Sequence, residues 1–164
     1  MIGKIRNLNT SSGGGAELVI VDNTKTNSEY AEFYTQINGG GSGSFNKFVN
    51  NSGWLYGYTN DNKSHGTCIF SITKAIDVTN YKTLSLVHLG SGSPIGISQN
   101  ATSADFDAYI VMPNDLTSPK TYTIDVSEVK GNVYIKATKT GSSTSTYNYS
   151  TTISDLRFTR KPIS

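Results

Sequence analysis

From Phe45 onward the apolar residues of the chain fall at every second position, in short runs broken by Gly, Asn, Asp, Ser and Pro. Trp54, Tyr56 and Tyr58 alternate with Leu55, Gly57 and Thr59. Cys68, Phe70 and Ile72 repeat the pattern after a polar loop, and Leu84, Leu86 and His88 repeat it again. Ile95 with Ile97, the segment Phe106 to Met112, and the sets Tyr122/Ile124/Val126 and Val133/Ile135/Ala137 follow, and Ile153 to Thr159 closes the series. Side chains of an extended strand point alternately to its two sides, so this period of two predicts strands with one buried face. About eight short strands joined by turn residues predict an all-β sandwich, because each sheet needs a second one to cover its apolar face.

Residues 1–44 read differently. Two clusters, Ser11-Ser12-Gly13-Gly14-Gly15 and Gly39-Gly40-Gly41-Ser42-Gly43-Ser44, flank a mixed stretch. Within it Leu18 to Val21 predicts a short strand, while Ser28 to Ile37 fits a strand or two helical turns equally well. Glycine clusters relieve backbone sterics and suit loops. The expected organisation is an N-terminal arm or attachment segment over residues 1–44 and one domain over residues 45–164. The segments Ile76-Asp77-Val78-Thr79 and Ile124-Asp125-Val126-Ser127 echo each other, and each precedes a short turn and a new alternating strand. They predict two similar corners where Asp and Ser/Thr side chains bond nearby backbone N–H groups.

Composition agrees with strands. Val, Ile, Thr, Tyr, Phe and Trp make up 60 of the 164 residues, against 37 for Leu, Ala, Glu, Lys, Arg, Met and Gln, which excludes a helical bundle. The net charge is +2, with three arginines and no basic run, so a nucleic-acid partner is not expected. Cys68 is the only cysteine, which excludes a disulfide framework within the chain and is best read as a small strand hydrophobe. No apolar stretch reaches the ~20 residues that span a bilayer as a helix, and the first residues lack the apolar core of a signal peptide.

The run from Gly53-Trp54 through Ile76-Asp77-Val78-Thr79-Asn80-Tyr81-Lys82-Thr83-Leu84, Tyr122 to Ser127 and Gly131 to Ile135, ending in Ile153-Ser154-Asp155-Leu156, resembles the galactose-binding-like jelly-roll domains. These occur as carbohydrate-binding modules and in tail and baseplate proteins of phages of Gram-positive hosts. The resemblance covers roughly residues 45–160 and implies a jelly-roll β-sandwich. It rests on core and corner residues, so it assigns no sugar contact.

Glycan binding needs flat apolar faces beside fixed polar groups. Trp54, Tyr56 and Tyr58, followed by Asp61, Asn62 and His65, supply both, unless the Trp54 face is core. Tyr147 and Tyr149 in a Ser/Thr-rich stretch form a second candidate platform. Asp61, with Asn60 and Asn62, offers oxygen ligands suited to a structural Ca²⁺, although a single carboxylate there binds weakly. No catalytic residue is expected: His88 falls in register with Leu84 and Leu86, and Asp105 and Asp107 read as strand-edge caps. With the phage resemblance, these features predict a non-catalytic virion component. Its arm would hold other virion subunits in an oligomeric assembly, and its sandwich would meet host cell-surface glycans. The alternative is a stand-alone carbohydrate-binding module, or a receptor-binding protein, of a secreted glycan-degrading system.

Overall fold

A computed structural model describes residues 17–22, 33–38, 45–51, 54–59, 67–90, 92–113, 115–140 and 149–162, and every regular element among them is a β-strand. In chain order these are β1 (Glu17–Val19), β2 (Phe33–Asn38), β3 (Phe45–Asn51), β4 (Trp54–Thr59), β5 (Thr67–Ile72) and β6 (Ile76–Asp77). The series continues with β7 (Tyr81–Gly90), β8 (Pro94–Ser98), β9 (Ala108–Val111), β10 (Asp115–Asp125), β11 (Asn132–Thr140) and β12 (Tyr149–Arg160). All pairings are antiparallel. Sheet one runs β10-β7-β12-β4-β3, with β1 also on β12. Sheet two runs β2-β5-β11-β8-β9, with β6 also on β11. The two sheets form a jelly-roll sandwich.

Alternation decides what fills the space between them. Leu84 and Leu86 of β7, Ile124 of β10, Ile153 and Phe158 of β12, Ile95 and Ile97 of β8, and Val133, Ile135 and Ala137 of β11 join one buried cluster. Burying each larger aliphatic side chain contributes about 1.5–3 kcal/mol, so this cluster is the main stabilising term. Tyr81 packs its ring against Phe158 at 5.3 Å between centroids.

Both echoed corners take the expected form. Thr79 N and Oγ1 donate to Asp77 Oδ1 at 3.0 and 2.6 Å, and Ser127 N donates to Asp125 Oδ1 at 2.9 Å. The intervening Val78 and Val126 are fully buried. The first corner is tied across the fold, since Val78 N donates to Gly131 O and Gly131 N donates to Thr79 Oγ1. Gly131 has φ +82°, a conformation that favours glycine.

The sandwich draws on residues from both sides of position 44. β1 pairs with Arg157 to Thr159 of β12, and β2 pairs with β5 along its whole length. β4 pairs with Tyr149 to Ser154 of β12, so β1 and β4 share one edge of that strand end to end. Between their pairing stretches lies Asp155, in the left-handed region at φ 51°, where the register against β7 also shifts. Ile20 N and Val21 N both donate to Leu156 O beyond the break, and Ile20 and Val21 enter the core. Arg157 braces the join by pairing with Glu17 of β1 at 2.8 Å and with Asp155, contacts that raise its pKa.

Candidate functional site

The sequence-predicted residues fall on different parts of the fold. Trp54, Tyr56 and Tyr58 lie in β4, paired along the backbone with Ser154, Thr152 and Ser150, while Leu55 pairs with Ile153. Tyr149 opens β12 and pairs with Thr59. In this register Tyr149 is level with Thr59, just beyond the Trp54/Tyr56/Tyr58 positions on the neighbouring strand. Asp61, Asn62, His65 and Tyr147 lie outside the described residues, and with them the Ca²⁺ site expected at Asp61. Among the described residues, no three His, Cys, Asp or Glu side chains gather as a metal site. His88 is buried on the core side of β7, edge-on to Tyr122 at 6.3 Å between centroids.

Among the described residues, an exposed aromatic surface lies elsewhere, on the outer face of sheet two. In β9, Ala108 and Ile110 pack on the core, which turns Tyr109 and Val111 outward. They are 56% and 62% exposed, well above what an apolar side chain on a packed sheet ordinarily shows. The Phe106 ring stacks on Tyr109 at 5.3 Å and 29°. Gly96 of β8 is the register partner of Tyr109, and a Cβ there would sit 2.0 Å from Ala108 O and 2.7 Å from Tyr109 Cα and Cβ. Glycine at position 96 therefore makes room for the Tyr109 base.

Beneath this pair lies Lys136, on the strand next to β8. It is 1% exposed, and its Nζ donates to the carbonyl oxygens of Asn100, Ser103 and Asp105 at 3.0, 2.5 and 2.7 Å. The ammonium also lies 5.1 Å from the centroid of the Phe106 ring. Burial lowers its pKa, while the Asp105 and Asp107 carboxylates act in the opposite direction. The loop from Gln99 to Asp107 is tied down at further points. Asn100 Oδ1 accepts from Thr102 N and Ser103 N, and Asp107 Oδ2 accepts from Gln99 N at 2.6 Å. Asp105 Oδ2 accepts from Ser103 Oγ at 2.8 Å. Asp107 thus ties the end of β8 to the start of β9, while Asp105 bonds within its own loop. The arrangement is a stacked aromatic pair beside a hydrogen-bonded loop that carries Asp105 and Asp107, a surface suited to the C–H face and hydroxyls of a sugar ring.

No protein-family model and no curated protein matches the chain by sequence. Solved structures match its fold. A variant of a family 29 carbohydrate-binding module complexed with mannohexaose superposes with a TM-score of 0.52 at 13% identity, over 88% of this chain and 92% of that one. A second variant, complexed with cellulohexaose, gives 0.52 at 12% identity over 89% and 92%. The family 11 module of a cellulosomal cellulase of Clostridium thermocellum gives 0.53 at 11% identity over 93% and 99%. At these identities the likeness is one of fold: the chain has the two-sheet jelly roll of carbohydrate-binding modules. These neighbours are not virion proteins.

Proposed function

We propose that the protein is a non-catalytic carbohydrate-binding module that holds glycan chains on the outer face of sheet two. The observation that carries this reading is the exposed Tyr109 ring, stacked on Phe106 and backed by a loop whose carbonyls are held by Lys136. The module fold supports it, since two of the neighbours are family 29 modules complexed with mannohexaose and with cellulohexaose. Covering about 50 Å² of the Tyr109 face with a sugar stabilises by about 1.3 kcal/mol, roughly tenfold in affinity. A single such site is weak, and repetition along a polysaccharide strengthens it.

A second reading places the glycan on sheet one. There Trp54, Tyr56 and Tyr58 pair along the backbone with Ser154, Thr152 and Ser150 of β12. Affinity electrophoresis through gels containing soluble glucan or mannan separates the two. The sheet-two reading expects Tyr109→Ala to lose most of its retardation and Trp54→Ala to keep it. The reverse pattern moves the site to β4. Retardation of neither the parent nor the variants, in any of the gels, contradicts glycan binding altogether. A virion role rests on the sequence resemblance alone, and a stand-alone module accounts for the fold equally well.

A further inference from the structure

We propose that Lys136 is the positioning residue of this face: its ammonium is the chain's own cation, gathering the Asn100–Asp105 loop and thereby fixing Phe106 and Tyr109 as a plate. The inference rests on the reading of that plate as the glycan site. Lysine is among the residues least often buried, because removing an ammonium from water is costly unless its donors are satisfied. Here the match is complete. The ammonium has three N–H donors, and three backbone carbonyls of one loop converge on it. Arginine spreads its donors over a planar fork, and methionine has none, so neither satisfies three acceptors at a point.

Converging carbonyls within one loop are how proteins bind hard cations such as Ca²⁺. In this loop the cation is covalently attached to β11, so the loop is held against sheet two by a residue of the sheet itself. The fourth neighbour of the ammonium is the face of Phe106, and Phe106 stacks on Tyr109. A continuous line of contact thus runs from the β11 backbone to the exposed ring. The residues between Asp105 and β9 are few, so the position of the loop sets the start of the strand that carries Tyr109.

The test compares the full chain with Lys136→Met, which keeps the aliphatic stem and removes the donors, and with Lys136→Ala. In Lys136→Met the Phe106 and Tyr109 ring resonances are expected to shift and the amides of residues 100–107 to exchange faster, while the amides of Leu84 and Leu86 stay protected. Mannohexaose and cellohexaose affinity should fall about tenfold or more, as for loss of the Tyr109 stack. In Lys136→Ala, n-propylammonium replaces the missing atoms and should restore both ring resonances and affinity. Tetramethylammonium, which has no N–H donor, should not. Unchanged rings in Lys136→Met, or equal rescue by both salts, would overturn the proposal.

Should these variants unfold, the parent protein decides the matter. Its Lys136 ¹⁵Nζ signal should exchange slowly and show couplings across hydrogen bonds to the carbonyl carbons of Asn100, Ser103 and Asp105. Absence of those couplings would refute the cradle. If the parent binds neither hexaose, the glycan reading fails, and the ring and coupling measurements still judge Lys136.

Discussion

Asp77, Asp115 and Asp125 each turn a carboxylate back onto the N–H group two residues on, and Asp115 also pairs with Lys120 at 2.6 Å. These bonds favour the ionised form. Thr79 lowers the pKa of Asp77, Lys120 then Thr117 lower that of Asp115, and Ser127 lowers that of Asp125. A carboxylate whose pKa is lower folded than unfolded stabilises the fold above its unfolded value, and that stability is lost as pH falls. Urea midpoints should therefore hold steady at neutral pH and drop as the pH passes below the ordinary carboxylate value of 3.8. Asp125→Asn, which keeps the acceptor without the charge, should make that drop shallower. Gly96 makes a different claim. Alanine there forces β9 away from β8, an overpacking that costs about 1–3 kcal/mol. Gly96→Ala should lower both the urea midpoint and glycan affinity, whereas Gly92→Ala, outside β8, serves as the comparison. The site itself was hard to see at this scale, because Phe106 to Met112 is apolar at nearly every position. Its alternation does not say whether Ala108 and Ile110 or Tyr109 and Val111 face the core. Lys136 gave no sign at all, since an alternating lysine on a strand ordinarily reads as solvent-facing.

At the scale of elements, the alternating runs already mark β4, β5, β7, β8, β11 and β12, where one face is apolar and the other polar. The two echoed corners are also legible, because Asp-Val-Ser/Thr carries its own hydrogen-bonding device. Others needed the fold. β2 was open between strand and helix and is settled by pairing with β5. β10 extends back to Asp115 through Pro119, which an edge strand tolerates because a missing N–H there breaks no ladder on its free side. β3 and β6 carry too little alternation to register. The segment 1–44 was expected to be an arm, and its β1 continues the line of β4 along β12. Deleting residues 1–22 removes β1 and takes the fully buried Ile20 and Val21 out of the core, a loss of about 3–6 kcal/mol by burial alone. Thermal unfolding of that truncation should occur far below that of the parent. A transition at the parent's temperature would show that the sandwich is complete without β1.

At the scale of the molecule, fold and function separate. A jelly roll supports many roles, so the sandwich tells what can be displayed and the exposed residues tell what is bound. The composition that builds it, rich in Ser, Thr and Asn, also supplies hydroxyl and amide groups over much of its surface, which is why sequence alone proposed several platforms and could not choose one. The two sheets now offer a way to choose. Trp54, the only tryptophan, is in sheet one, and Tyr109 is in sheet two. Calorimetric titration of the intact chain with mannohexaose and cellohexaose, with tryptophan emission followed in parallel, addresses the central claim most directly. We expect saturable heat with at least one hexaose, an unchanged emission spectrum, and loss of the heat in Tyr109→Ala. No heat from either sugar up to millimolar concentration, or full heat retained in Tyr109→Ala, would contradict it.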